Sequence, residues 1–138
     1  MCMTLIVEDN AIFRGSLKQI LSGRFPTMSI HEAGDGREAL RKVDELVPDL
    51  IFMDIRLPGT NGLELTRNIK RDNREVVVVI LTSYDLPEYR DAAIMSGANY
   101  FLTKGTATSD DIMAIVESVL PAPPAGAAVK PGGNGSTL

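Results

Sequence analysis

The chain has 138 residues, of which 44% are hydrophobic, and its single cysteine is Cys2. This length and composition predict one compact domain, and one cysteine excludes an internal disulfide, which favours a reducing, cytoplasmic setting. The 14 Lys and Arg against 18 Asp and Glu, a formal net charge of -4, argue against direct binding of nucleic acid, because no surplus of cations could neutralise phosphates. No apolar stretch is long enough to span a membrane, so we expect no membrane contact.

Short apolar runs alternate with segments of helical periodicity in the first half of the chain. The first run, at 5–7, is followed by Asn10, a typical N-cap. A second run, at 28–33, precedes Asp35, which has a glutamate three residues on and resembles a capping box, and this second helix is expected to end at Pro48. The apolar faces predicted for the two helices are Phe13, Leu17, Ile20 and Leu21, and Ala39, Leu40, Val43, Leu46 and Val47.

The second half repeats the alternation three times. A run at 50–53 leads through a turn rich in Gly and Pro to a third helical segment. The run at 76–81 is continuously apolar, which is typical of a central parallel strand covered on both faces. Asp85 with Pro87 and Glu88 predicts the start of the next helix, and after a last apolar run at 100–102 the sequence Ser109-Asp110-Asp111 predicts the cap of a fifth.

Five consecutive strand and helix units predict an α/β fold with one doubly wound, five-stranded parallel sheet, flavodoxin-like, of order 2-1-3-4-5 and with five helices. Binding sites in such sheets lie beyond the carboxyl ends of the strands. After Leu120 the composition changes to Pro, Gly and Ala, which offer little apolar bulk to bury. We therefore expect a folded domain at 3–120 and a flexible tail or linker at 121–138.

Five side chains able to handle a metal ion or a phosphate follow four of the predicted strands: Glu8, Asp9, Asp54, Thr82 and Lys104. Carboxylates about 4 Å apart repel by about 4 kcal/mol at an effective dielectric of about 20, so three of them together need a cation. An all-oxygen ligand set suits Mg²⁺. Asp54 could then form an aspartyl-phosphate as a nucleophile, with Lys104 and Thr82 beside the phosphoryl oxygens.

Four motifs occur in a specific order, namely Val7-Glu8-Asp9-Asn10, Phe52-Met53-Asp54-Ile55-Arg56-Leu57-Pro58-Gly59, Leu81-Thr82-Ser83 and Gly97-Ala98-Asn99-Tyr100-Phe101-Leu102-Thr103-Lys104. With them the chain resembles the receiver domain of bacterial two-component response regulators, of the type often found ahead of a helix-turn-helix DNA-binding domain. The resemblance implies that Asp54 accepts a phosphoryl group from a sensor histidine kinase or a phosphotransfer protein. It also implies that Thr82 and Lys104 hold the phosphoryl oxygens, and that Mg²⁺ is bound by Glu8, Asp9, Asp54 and the backbone carbonyl of Arg56.

The resemblance further implies a switch rather than an enzyme, one that only assists its own phosphotransfer and dephosphorylation. New charge on Asp54 would draw Thr82 inward, and Tyr100 would rotate into the vacated space. The surface formed by the fourth helix, fifth strand and fifth helix would change and control homodimerisation or an output domain, which we expect to act in transcription.

Arg56 and Tyr84 are bulky residues two positions beyond Asp54 and Thr82, and we hypothesise that they flank the pocket and hinder the water that hydrolyses the acyl phosphate.

Lys104 is followed by Gly105, where many family members have a proline after a cis bond. A cis bond before glycine costs about 2.5–4 kcal/mol, so the conformation of this loop is left open.

Two other functions are weighed against the switch. One is a stand-alone or unphosphorylated receiver-like interaction module, which is disfavoured because the acidic, hydroxyl and lysine set is complete. The other is a phosphohydrolase that passes through an aspartyl-phosphate. Such enzymes are expected to have a second Asp two residues after the nucleophile as general acid, and this chain has Arg56 there.

Overall fold

The computed structural model describes residues 2–120, so the predicted tail at 121–138 lies outside the described residues. The strands are β1 (Met3–Val7), β2 (Ser29–Ala33), β3 (Leu50–Met53), β4 (Arg56–Leu57), β5 (Thr60–Asn61), β6 (Val77–Thr82) and β7 (Tyr100–Thr103). The helices are α1 (Ala11–Arg24), α2 (Gly36–Leu46), α3 (Gly62–Asp72), α4 (Pro87–Met95) and α5 (Ser109–Val119). Within residues 2–120, no helix combines the length and apolar character needed to cross a membrane.

The main sheet has five parallel strands in the order β2-β1-β3-β6-β7. This confirms the predicted order 2-1-3-4-5 and the five helices, because β6 and β7 are the fourth and fifth strands of this sheet. The sequence did not predict the short antiparallel hairpin of β4 and β5, which lies in the turn after Asp54. Gly59, between the two hairpin strands, has a φ of 75°, a conformation that favours glycine.

Apolar side chains of the central strands alternate between two cores, one on each face of the sheet. Val78 and Ile80 belong to the core formed with α2, α3 and α4, whereas Val79 and Leu81 belong to the core formed with α1 and α5. All four are at most 2% exposed. The unbroken apolar run was therefore correctly interpreted as a strand covered on both faces.

Two predicted helix caps are confirmed. The side chain of Asn10 accepts hydrogen bonds from the backbone N–H groups of Ile12 and Phe13 at 3.0 and 3.1 Å. Asp35 accepts one from Glu38 at 2.8 Å. Both helices therefore begin where local side-chain chemistry satisfies the free N–H groups of a first turn.

One further helix start is confirmed, and one cap was predicted wrongly. Helix α4 begins at Pro87, within the stretch of Asp85, Pro87 and Glu88 that predicted its start, and its N-cap is Leu86, which makes no side-chain hydrogen bond. Helix α5 is capped by Thr108 rather than by Ser109, because Thr108 and Asp111 form a reciprocal capping box.

Two residues assigned to the apolar face of α2 are exposed instead. Leu40 is 40% exposed, and Val47, the C-cap, is 65% exposed with a left-handed φ of 47°. The chain has already turned away from the core at Val47, which is why helical periodicity does not place this side chain correctly.

Candidate functional site

The carboxyl ends of four strands bring the candidate residues together at one edge of the sheet. The backbone N–H of Asp54 donates to the carbonyl of Val7 at 3.0 Å, which extends the pairing of β1 and β3 beyond the last strand residue. The N–H of Lys104 donates to the carbonyl of Thr82 at 2.8 Å in the same way on the other side. The parallel strands thus carry residues far apart in the sequence to a common edge.

Glu8, Asp9 and Asp54 form an acidic cluster in which one carboxylate oxygen from each lies within 4.8 Å of the others. Glu8 and Asp54 are only 3% and 8% exposed, whereas Asp9 is exposed. This set offers three hard oxygen ligands and an open side for water, which is the donor chemistry that Mg²⁺ accepts in proteins. The residues present therefore fit the ion that the resemblance implied.

The ammonium group of Lys104 lies against two members of the cluster. It donates a hydrogen bond to the carboxylate of Glu8 and lies 3.4 Å from Oδ2 of Asp54. The Lys104 side chain is 15% exposed, and its Nζ lies 4.3 Å from the ring centroid of Phe13. The lysine thus offsets part of the repulsion between the acids, and the aromatic ring of Phe13 on α1 lies against the same ammonium group.

Burial has a strong effect on Glu8. Desolvation raises the pKa of its carboxyl group from 4.5 to about 7, and the charge of Asp54 adds to this effect. Hydrogen bonds from Lys104 and from the backbone N–H of Asn10, the latter at 3.1 Å, oppose the increase. Near neutral pH, Glu8 is therefore poised between its neutral and charged forms.

The side chain of Asp54 is oriented by the loop that follows it. Oδ1 accepts a hydrogen bond from the backbone N–H of Ile55 at 2.8 Å, which leaves Oδ2 on the side of Lys104. Thr82 is fully buried at the end of β6, and its Oγ1 lies 3.4 Å from the backbone nitrogen of Tyr84. The two side chains thus lie at the ends of β3 and β6, which are neighbours in the sheet.

Gly62, the first residue of α3, packs against the backbone of Asp54. Its N–H donates to the carbonyl of Ile55 at 2.7 Å, and a Cβ at this position would lie 1.9 Å from the carbonyl oxygen of Asp54. The sequence alone places Gly62 only in the Gly- and Pro-rich turn that follows Asp54. Only glycine allows α3 to begin this close to the candidate phosphoacceptor.

Arg56 and Tyr84, predicted to flank the pocket, contact each other. The guanidinium carbon of Arg56 lies 4.5 Å from the ring centroid of Tyr84, and the ring centroids of Tyr84 and of Tyr89 on α4 are 5.7 Å apart. This stack links the loop after Asp54 to the loop after Thr82. The backbone carbonyl of Arg56 as a metal ligand stays a prediction.

Tyr100 is separate from the acidic cluster. It begins the edge strand β7, is 40% exposed, and lines a cleft of about 230 Å³ together with Ile94 and Phe101. Its predicted role in a switch stays a prediction.

The peptide bond from Lys104 to Gly105 is trans, as are the other peptide bonds of residues 2–120.

Two residues of α1 adjoin the site without having been predicted from the sequence. Phe13 was assigned only to the apolar core, yet its ring covers Lys104. No sequence pattern predicted a role for Arg14, yet its guanidinium donates to the backbone carbonyl of Glu8 at 2.6 Å. The only available signal was their position in the first turn after Asn10, next to the acidic pair.

The fold and the site together define a doubly wound α/β protein with an acidic pocket and a lysine at the carboxyl ends of its strands. The sequence model of the response regulator receiver domain matches residues 4–117, so this chain belongs to the family of response regulator receiver domains. This confirms the family that the four sequence motifs suggested.

Individual relatives agree with this assignment. The chain is 30% identical over 115 residues to the response regulator GacA of Pseudomonas viridiflava, and the match covers 83% of this chain and 54% of GacA. It is 36% identical over 104 residues to the transcriptional regulatory protein YdfI of Bacillus subtilis, covering 75% of this chain and 48% of YdfI. The chain thus spans about half the length of these curated relatives.

Among solved structures, the response regulator protein TrrA of Thermotoga maritima, in complex with Mg²⁺-BeF, superposes with a TM-score of 0.77. It is 29% identical, and the match covers 87% of this chain and 100% of that one.

Proposed function

We propose that this receiver domain is a phosphorylation-dependent signalling switch in which Asp54 is the phosphoacceptor. The observation that carries the proposal is the convergence on Asp54 of two further carboxylates and the Lys104 ammonium, with Oδ2 of Asp54 3.4 Å from Nζ. A carboxylate placed beside a cation site and a fixed ammonium can act as a nucleophile towards phosphorus, because both positive charges offset the charge of the incoming phosphoryl group.

The transfer forms one bond and breaks one. An oxygen of the Asp54 carboxylate attacks the phosphorus of a phosphohistidine, or of a small phosphodonor, and the bond from phosphorus to the leaving group breaks with its electron pair. The product is an acyl phosphate on Asp54. Lys104, and Thr82 once it has moved inward, donate hydrogen bonds to the phosphoryl oxygens.

Glu8, Asp9 and Asp54, with the backbone carbonyl of Arg56, would hold the Mg²⁺. When bound, this ion supplies charge neutralisation for the transferring phosphoryl group. The oxygen ligand set described above supports this assignment, as does the Mg²⁺-BeF bound to TrrA, a relative that is 29% identical.

The new charge on Asp54 draws Thr82 inward and lets Tyr100 rotate, which changes the surface formed by α4, β7 and α5. Exposed apolar side chains on this surface give it the character of a contact region, since Ile94 and Met95 are 62% and 83% exposed and Tyr100 is 40% exposed. Rotation of Tyr100 would alter the cleft that it lines beside Ile94. We propose that this change controls homodimerisation or an output domain.

A sensor histidine kinase or a phosphotransfer protein is the proposed donor, and regulation of transcription in the cytoplasm is the proposed output. The names of the relatives support this proposal, since one is a response regulator and another a transcriptional regulatory protein. The domain boundaries 3–120 are proposed from the change in composition after Leu120 and from the match of the family model to residues 4–117.

The test is incubation with Mg²⁺ and a small phosphodonor such as acetyl phosphate, followed by intact mass measurement. The wild-type chain is expected to gain the mass of one phosphoryl group. Asp54→Asn should abolish the gain, while the matched control Asp110→Asn, which makes the same change in the first turn of α5, should retain it.

Each outcome discriminates between the functions considered. A gain that survives Asp54→Asn would refute Asp54 as the acceptor. No gain in the wild type would favour an unphosphorylated interaction module, and rapid turnover of the donor without accumulated phosphoprotein would favour a phosphohydrolase.

A further inference from the structure

Arg14 on α1 makes a contact that the proposed function does not use. Its Nη1 donates to the backbone carbonyl of Glu8 at 2.6 Å, and its Nε lies 3.1 Å from Oε1 of Glu32 on β2. The Arg14 side chain is 22% exposed. One guanidinium therefore joins α1, β2 and the end of β1 through two donors that point in fixed directions.

The carbonyl of Glu8 belongs to the peptide unit that joins Glu8 to Asp9. The N–H of Glu8 is held at 3.0 Å from the carbonyl of Ala33, so the preceding peptide is part of the sheet. The next peptide lies beyond β1, and a charged hydrogen bond from Arg14 fixes its orientation. Because the Cα of Asp9 is attached to this peptide, rotation of the peptide would displace the Asp9 carboxylate.

Asp9 needs such support more than its partners in the cluster. Glu8 and Asp54 are held by burial and by hydrogen bonds, whereas Asp9 is exposed. Arg14 itself is well placed, since its N–H donates to the carbonyl of Asn10 at 2.9 Å in the first turn of α1. Glu32 then aligns the guanidinium through its carboxylate.

We propose that Arg14 is a positioning residue for the cation site: by holding the Glu8 carbonyl, it keeps Asp9 within reach of a divalent ion bound by Glu8 and Asp54. This inference rests on the proposed function. It predicts the direction in which Mg²⁺ affinity changes when Arg14 is replaced by a neutral residue. Removing a positive charge near an acidic cluster should strengthen Mg²⁺ binding by electrostatics alone, whereas loss of positioning should weaken it.

The test is calorimetric titration of the chain with Mg²⁺, comparing wild type, Arg14→Gln and Lys18→Gln. Lys18 is the matched control because it carries the same charge on the same helix and lies 3.3 Å from the other oxygen of Glu32, but does not contact the Glu8 carbonyl. We expect Arg14→Gln to bind Mg²⁺ about tenfold more weakly, which is typical when a residue supporting a ligand is removed. Lys18→Gln should bind as the wild type does or more tightly.

A second measurement separates positioning from general damage. In phosphorylation by acetyl phosphate, Arg14→Gln should need about tenfold more Mg²⁺ for half-maximal rate but reach the wild-type rate at saturating Mg²⁺, because Asp54 is untouched. If Arg14→Gln does not fold, Arg14→Lys, which keeps the charge but cannot hold both partners in a planar fork, should show the same weakening.

The outcomes are distinct. Unchanged or tighter Mg²⁺ binding by Arg14→Gln would overturn the inference and leave the proposed function intact, and so would equal weakening in Lys18→Gln. Absence of Mg²⁺ binding by the wild type would overturn both.

Discussion

The close packing of α3 against the Asp54 backbone predicts that the substitution Gly62→Ala destabilises the domain. The added Cβ would lie 1.9 Å from the carbonyl oxygen of Asp54, 2.8 Å from its carbonyl carbon and 3.1 Å from Cα of Ile55. A carbon–oxygen contact needs about 3.3 Å, so α3 or the Asp54 peptide must move by about 1.4 Å (about 3.3 minus 1.9). All three contacts are with backbone, so rotation of a side chain cannot relieve them.

The size of the effect follows from this overlap. Overpacking costs about 1–3 kcal/mol, and the upper end applies here because the contacting atoms are backbone. Alanine recovers up to about 1 kcal/mol through its better helix propensity. We therefore expect Gly62→Ala to lower the free energy of unfolding by about 2 kcal/mol and the melting temperature by about 8 °C, measured by urea and thermal denaturation.

The matched control is Gly15→Ala, within α1. A Cβ at Gly15 would meet nothing within 4 Å, so this change should raise the free energy of unfolding by about 0.5–1 kcal/mol. Equal stability of Gly62→Ala and wild type would refute the reasoning, because it would mean that α3 and the Asp54 loop can separate at no cost.

Two further predictions concern the chemistry of the site. The guanidinium carbon of Arg56 lies 4.5 Å from the ring centroid of Tyr84, and this stack should hinder the water that hydrolyses the acyl phosphate. Arg56→Asn combined with Tyr84→Ala should therefore speed the loss of phosphate about two- to fivefold, which corresponds to about 0.5–1 kcal/mol for an exposed cation–π contact. Radiolabelled phosphate release measures this rate, and an unchanged rate would discard the idea. Separately, burial raises the pKa of Glu8 to about 7, and a carboxyl group must lose its proton to bind Mg²⁺, so Mg²⁺ affinity should rise about tenfold between about pH 6 and about pH 8. Calorimetry at the two pH values measures this rise; an affinity independent of pH would contradict it.

Local chemistry explains which parts of the fold were predicted well. The central strand is buried on both faces, so an unbroken apolar run was sufficient to identify it. Asn10 and Asp35 cap their helices through bonds to residues two or three positions away, which a short stretch of sequence contains. The cap of α5 was misplaced by one residue because Thr108 and Ser109 both carry a suitable hydroxyl group. The reciprocal bond with Asp111 decides between them.

The sequence alone placed the acids, the threonine and the lysine at the ends of four of the five predicted strands. The alternation of strands and helices predicted that these strands are parallel, so that their carboxyl ends share one edge of the sheet. The tertiary structure decided which of these groups touch. The contact of Lys104 with Glu8 joins residues 96 positions apart, and the ring of Phe13, the guanidinium of Arg14 and the missing side chain of Gly62 complete the site from separate elements. No local periodicity encodes such contacts, since they depend on how α1, α3 and the strand ends pack against each other.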